Sequence, residues 1–317
     1  MNFLKTLLDR TAVLFLGVAA GVAIGYAFGQ GGGHKDAVEL APEAAPTTKA
    51  PPAVAPPPPA GPAANADHPA ANIVAQLAAG TPAASEPPVI DQIHAGKTVR
   101  VGVFGDSFGD GVWSALYRLL PAKDGYQVTK FSQPSTGFTR YRRLDLEAHD
   151  SQQIADKPID IAVISFGAND AQGVCDAGKC GALMGKYWQE VIGRRVESYV
   201  AMLRSHGASV YWVGLPAMRD PAFDGDASAM DAFYQRLMGQ LGVPYITIRP
   251  LTVDADGHYV AYYRDADGAP KLLRAGDGIH MSMNGYMQVS KGLASRIRAS
   301  VRAARATQPA EAGEVGG

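Results

Sequence analysis

The chain has 317 residues, with 29 Lys and Arg against 30 Asp and Glu, for a formal net charge of −1. That balance gives no global basic field and argues against nucleic acid as the partner. An apolar share of 47% is ordinary for a globular protein, and the length allows one or two domains.

The chain opens with Lys5 and Arg10 ahead of an uncharged run at 11–29, TAVLFLGVAAGVAIGYAFG. The run is near the lower limit for spanning a bilayer, and it shows no clean Ala-x-Ala cleavage site. We read residues 1–29 as an uncleaved signal anchor, with a signal peptide cut near Gly29 or Gln30 as the alternative. Positive charge on its amino side puts the rest of the chain outside the inner membrane. Residues 30–96 are rich in Pro and Ala, include Pro56-Pro57-Pro58-Pro59, and show little hydrophobic periodicity. They read as a disordered linker, with 72–77 as a candidate short helix.

From residue 97 to about 306 strand patterns alternate with helix patterns. Val99, Val101 and Val103 predict a strand over 99–104, which stops at Gly105-Asp106-Ser107 before a helix over 107–120. A strand is expected over 126–131, followed by a turn-rich stretch at 133–137. The near-continuous apolar run 159–166 predicts a strand buried on both faces. A helix follows over 186–205, a strand over 209–215 that ends at Pro216, a helix over 230–241 and a strand over 244–248. The segment 258–274 reads as a hairpin of two short strands around Asp265-Ala266-Asp267-Gly268. A last helix is expected over 282–305. The βαβ alternation implies an α/β three-layer sandwich with a mostly parallel central sheet. Residues 307–317 read as a disordered tail.

Ser107 falls at the carboxyl end of a strand and the amino end of a helix, where ligands bind in open α/β sheets. That stretch alone leaves two roles open, an N-cap or a nucleophile. Three further loops bear on the choice. Gly137 follows the second strand, where a missing side chain lets a backbone N–H approach a ligand. Asn169 follows the most buried strand and offers an uncharged amide donor. Asp277 and His280, three apart in one loop, allow the carboxylate to fix the imidazole tautomer while the other ring nitrogen takes a serine proton. Together these loops supply a nucleophile, a base, an orienting group and oxyanion donors. Asp106 and Asp170 read as shaping their loops. Arg140, Arg142 and Arg143 read as a solvated basic loop, with contact to an anionic substrate as the alternative, and Tyr211 and Trp212 as core. Trp188, near the cysteine loop, is a candidate for stacking on a sugar that the site reading does not use.

Gly105-Asp106-Ser107, Gly137, Gly167-x-Asn169-Asp170 and Asp277-x-x-His280, in that order, resemble the four sequence blocks of the SGNH (GDSL-like) hydrolases. The resemblance covers nearly all of 97–306. Ser135-Thr136-Gly137-Phe138, Trp212-Val213-Gly214-Leu215-Pro216 and Arg274-x-x-Asp277-Gly278-Ile279-His280 further resemble the bacterial branch named domain of unknown function 459. The resemblance implies a flavodoxin-like SGNH fold. It also implies Ser107 as nucleophile, His280 as general base, Asp277 as its orienter, and an oxyanion hole from the N–H groups of Ser107 and Gly137 with the Asn169 side chain.

These features point to an exported serine esterase, tethered in the periplasm or secreted, that removes O-acetyl or similar short acyl groups from an envelope or secreted polysaccharide. A polysaccharide O-acyltransferase using the same triad is the alternative, and a non-catalytic envelope scaffold a third reading. The only cysteines, Cys175 and Cys180, sit in an insert over 174–184 after the Asn169 block. On the outer placement they form a small disulfide loop, and the insert is expected to wall the site. No cofactor is expected. The two Asp-x-Asp-Gly runs lack the EF-hand spacing, so no metal is expected either.

Overall fold

Three valines alternating along one strand begin the domain. In the computed structural model, which describes Ile93 and residues 97–306, β1 (Val99–Gly105) is an interior strand of a five-stranded sheet. The other strands are β2 (Tyr126–Lys130), β3 (Ile161–Ser165), β6 (Ser209–Val213) and β7 (Tyr245–Ile246), in the order β2-β1-β3-β6-β7. Every pairing is parallel, with Val101 opposite both Val128 and Ile161 and Ile164 opposite Trp212. All five carboxyl ends therefore lie at one edge. The connection from β1 runs one way to β2, and β3 then lies on the other side of β1. That reversal is the topological switch point, and the loop after β1 opens onto it.

Helices α1 (Ser107–Leu119), α2 (Leu146–Asp156), α3 (Lys186–Ser205), α4 (Pro221–Leu241) and α5 (Met283–Ala306) surround the sheet. Right-handed crossovers place α1 on one face and α2, α3 and α4 on the other. α5 packs on α1, and α2 packs on α3.

The strands of the sheet begin where the sequence predicts them or within two residues; β1, β3 and β6 are apolar runs buried on both faces, whereas the edge strand β2 alternates buried and exposed residues. Two helices depart from expectation. α4 starts at Pro221 rather than 230: Asp220 accepts from Phe223 N at 2.8 Å and Pro221 occupies the first turn. α2 has no predicted counterpart, and its middle inward residue is Asp150 rather than an apolar one.

The 174–184 insert forms a hairpin of β4 (Val174–Asp176) and β5 (Lys179–Gly181), with Cys175 directly opposite Cys180 and bonded to it as a disulfide. Ala177 and Gly178 both have positive φ, as a tight hairpin turn requires. A second hairpin pairs β8 (Tyr262–Arg264) with β9 (Pro270–Leu272). The two Asp-x-Asp-Gly runs are turns whose first carboxylate is already occupied: Asp254 accepts from Asp256 N and His258 N, and Asp265 from Asp267 N and Ala269 N.

An aromatic cluster fills the core below the functional edge. Phe138 meets Phe166 at 4.9 Å, Tyr199 at 5.6 Å and Trp212 at 6.1 Å between ring centroids. Trp188 is fully buried, lies edge-on to Phe233, and donates from Nε1 to the Gln172 carbonyl at 2.9 Å. It is a core residue, which removes the sugar-stacking alternative. Among the described residues no helix is long and apolar enough to cross a membrane. The anchor expected over 11–29, the linker with its candidate helix and the tail after 306 lie outside the described residues.

Candidate active site

The site begins with the turn that follows β1. At Gly105 a Cβ would sit 2.0 Å from the Ser165 carbonyl oxygen of β3, so the strands can close at the switch point only with glycine there. Asp106 then caps α1, accepting from Phe108 N at 2.9 Å. Ser107 is the first residue of the helix. Its Oγ lies 2.7 Å from His280 Nε2.

His280 comes from the far end of the domain, in the loop between β9 and α5. Its Nδ1 lies 2.6 Å from Asp277 Oδ2, and the other Asp277 oxygen accepts from Ile279 N at 2.8 Å and His280 N at 2.9 Å. Partial burial pushes the Asp277 carboxyl up, but the bonds from the His280 side chain and these two backbone donors outweigh it and hold the group at about 2. Asp277 is therefore ionised at neutral pH. A carboxylate on Nδ1 keeps the proton there and leaves Nε2 free to accept from Ser107. Phe108 stacks against the imidazole at 5.4 Å between centroids and limits its rotation.

The proposed oxyanion donors converge through a network of buried carboxylates. Asp106 accepts from Gly167 N at 3.3 Å and from Asn169 Nδ2 at 3.2 Å, and Asn169 Nδ2 also donates to the Thr136 carbonyl at 3.0 Å. The Asn169 amide thus bridges the Ser107 turn to the Gly137 loop. Both of its hydrogens have acceptors at rest, so donation to an oxyanion means exchanging one of these contacts. The N–H groups of Ser107 and Gly137 make no hydrogen bond among the described residues. Burial pushes the Asp106 carboxyl up to about 7, against the Phe108 N–H bond and with the Asp170 charge adding to it.

Asp170 fixes the loop after Gly137. It accepts from Phe138 N at 3.0 Å, Thr139 N at 2.7 Å, Thr139 Oγ1 at 2.7 Å and the Tyr234 hydroxyl at 3.5 Å. A Cβ on Gly137 would sit 2.5 Å from Asp170 Oδ1. Here the glycine serves close approach, since its backbone is extended. Burial raises the Asp170 carboxyl, while the Thr139 and Phe138 donors oppose that rise. Both aspartates hold loops in place, as their positions in the sequence suggest.

The disulfide hairpin is tied to the segment after Gly137. Asp176 pairs with Arg194 and Arg195, and Arg195 Nη1 donates to the Phe138 carbonyl at 2.6 Å, one residue beyond Gly137. Sequence reasoning did not find Arg195; nothing in the helical pattern of α3 marks it. Arg142 and Arg143 are exposed, and Arg140 donates to the Ser135 carbonyl. Beside the loop that carries His280 lies an open cleft of about 520 Å³, lined by Arg219, Asp220, Pro221, Phe223, Asp277, Gly278 and Ile279. Asp254, Asp256 and His258 bring their ligand atoms within 4.8 Å of one another on the exposed surface. They lie in a turn outside the Ser107 network.

Residues 100–296 match the family model described as "Protein of unknown function (DUF459)", which is more than half of the chain. No curated protein matches the sequence. Among solved structures, the periplasmic domain of a lipopolysaccharide acetyltransferase from Salmonella ser. Paratyphi A is 11% identical, covers 72% of this chain and 97% of its own, and has a TM-score of 0.48. A catalytic mutant of an acetylxylan esterase from Geobacillus stearothermophilus is 14% identical, with 63% and 94% covered and a TM-score of 0.45. A GDSL-like lipase from Bacteroides thetaiotaomicron is 12% identical, with 74% and 98% covered and a TM-score of 0.44.

Proposed function

The chain belongs to the DUF459 family, and from that membership and the geometry around Ser107 we propose that it is an SGNH-type serine esterase that works through an acyl-enzyme. The observation that carries the reading is the continuous relay from Ser107 Oγ through the His280 ring to Asp277, with contacts of 2.7 and 2.6 Å.

In the proposed cycle His280 Nε2 takes the Ser107 proton as Oγ attacks the ester carbonyl. The ionised Asp277 stabilises the imidazolium. The carbonyl oxygen gains charge between the Ser107 and Gly137 N–H groups, with the Asn169 amide as the third donor. When the tetrahedral centre collapses, His280 returns the proton to the departing alcohol and the acyl group stays on Oγ. His280 then activates a water molecule, whose attack releases the carboxylic acid and restores Ser107.

We assign the substrate to short acyl esters, O-acetyl above all, on an envelope or secreted polysaccharide, and the enzyme to the space outside the inner membrane. The charged residues ahead of an apolar run support that placement, as does the Cys175–Cys180 disulfide, a bond favoured in oxidising compartments. The test is hydrolysis of an aryl acetate by the full-length protein, repeated with an acetylated glycan and with an unacetylated glycan acceptor. Ser107→Ala should abolish acetate release. Undiminished release by that variant refutes the assignment, and acetyl transfer to the acceptor in place of release makes the enzyme a transferase.

A further inference from the structure

His280 must stand at a fixed height over Ser107, yet it sits in a loop between β9 and α5. The side chain that holds this loop is Arg274. It is 1% exposed, a position where a cation costs several kcal/mol of lost hydration. Its guanidinium donates to backbone carbonyls: Nη1 to Ala217, Nη2 to Ile279 at 2.7 Å, and Nε to His280 itself at 3.3 Å. The Tyr259 ring covers one side at 4.9 Å, and Met218 Sδ lies 3.9 Å from Nη2. No carboxylate contacts the guanidinium among the described residues.

An apolar side chain of similar volume would remove the buried cation but leave the Ala217 and Ile279 carbonyls without this donor. What only arginine supplies is a rigid planar fork with donors aimed in several directions at once. One arm reaches Ala217, just beyond β6 and so fixed to the sheet, and the others reach the two carbonyls that bracket the base. Arg219 holds the same loop from outside: its N donates to the Gly278 carbonyl and its Nη1 to that of Gly276, each at 3.0 Å. Its side chain lies over Gly278, where a Cβ would come within 2.6 Å of it and where φ is +77°.

We infer that Arg274 is the positioning residue that sets the His280 imidazole against Ser107, by tying the Ile279 and His280 carbonyls to Ala217. Its effect on turnover rests on the esterase reading, whereas its effect on the imidazole does not. The test uses the full-length protein and the variants Arg274→Met, Arg274→Lys and Val301→Ala, the last a buried position on α5 that serves as a stability control. Three quantities are read: Tm, kcat and KM on an aryl acetate, and the far-downfield proton resonance of the His280 Nδ1–H bonded to Asp277.

In Arg274→Met, kcat should fall about 100-fold with KM changed by less than about threefold, the loss expected when a reacting group is misplaced by about 1 Å. The resonance should shift or broaden. Val301→Ala should lower Tm while leaving kcat and the resonance as in the wild type. If Arg274→Met does not fold, Arg274→Lys decides: it keeps the charge, but a single ammonium does not span both sides, so kcat should still fall about tenfold. Wild-type kcat and resonance in a folded Arg274 variant overturn the inference, as does a kcat loss that Val301→Ala reproduces. Absence of aryl acetate turnover in the wild type would sink the esterase reading, and the resonance comparison would still decide the role of Arg274.

Discussion

Replacing Gly137 with alanine tests the oxyanion wall without touching the triad. The added Cβ would lie 2.5 Å from Asp170 Oδ1, about 0.9 Å inside ordinary van der Waals contact. Asp170 has no easy retreat, because three donors hold it at 2.7 to 3.0 Å and it is fully buried. Phe138 is equally fixed in the aromatic cluster on the other side. The strain therefore falls on the 135–137 segment and moves the Gly137 N–H by a large part of an ångström. Misplacement of one oxyanion donor costs about 10²- to 10³-fold in kcat. Overpacking of this kind costs about 1–3 kcal/mol, so Tm should drop by roughly 2–12 °C in a domain of this size. Initial rates on an aryl acetate, measured well below that Tm, give kcat and KM. A folded Gly137→Ala protein with kcat within about twofold of the wild type would show that the Gly137 N–H makes no contribution of the size expected for an oxyanion donor.

Three other substitutions probe separate parts of the account. Asp277→Asn should lower kcat by about 10³- to 10⁴-fold, because the amide no longer selects the Nδ1–H tautomer. Since Asp277 is held at about 2 in the folded chain, its stabilising contribution is present above pH ~4 and lost as the pH falls toward 2. Acid titration of stability should accordingly be flatter over that interval in Asp277→Asn, by a small amount because the group is partly exposed. Joint replacement of Cys175 and Cys180 by serine opens a loop closed across a separation of 5 residues. Denaturant unfolding should show a loss of about 2 kcal/mol, the chain-entropy value for so short a loop. Trp188→Phe should lower stability and leave KM for a glycan substrate unchanged, since the indole faces Phe233 and the Gln172 carbonyl within the core. A large rise in KM would return Trp188 to the binding surface.

Much of this architecture is legible in the residues. Strands buried on both faces announce themselves as apolar runs, and Ser107 and Asn169 fall where two of those runs stop, whereas His280 is marked by its spacing from Asp277. α2 is not legible, because the inward residue between Leu146 and Ile154 is Asp150, whose carboxylate meets the Tyr199 hydroxyl inside the core. A buried polar pair breaks the hydrophobic period that marks a helix. The first turns of α4 hide for a similar reason. Phe223 and Ala227 are separated by small and acidic residues, and only the Asp220-Pro221 start signal remains. Arg274 stands in the sequence as one motif residue among several. Its role follows from the Ala217 carbonyl, 57 residues away, which no local pattern brings near it. Asn169 is legible as an amide donor, but not as the bridge between Asp106 and Thr136.

The central claim is that Ser107 carries the acyl group. It is tested most directly by trapping: the full-length protein is treated with an active-site-directed phosphonate ester, and the adduct is located by intact mass and peptide mapping. The account predicts a single adduct on Ser107, formed slowly in His280→Ala and absent in Ser107→Ala. An adduct on another residue, or none in a protein that turns over an aryl acetate, would contradict it.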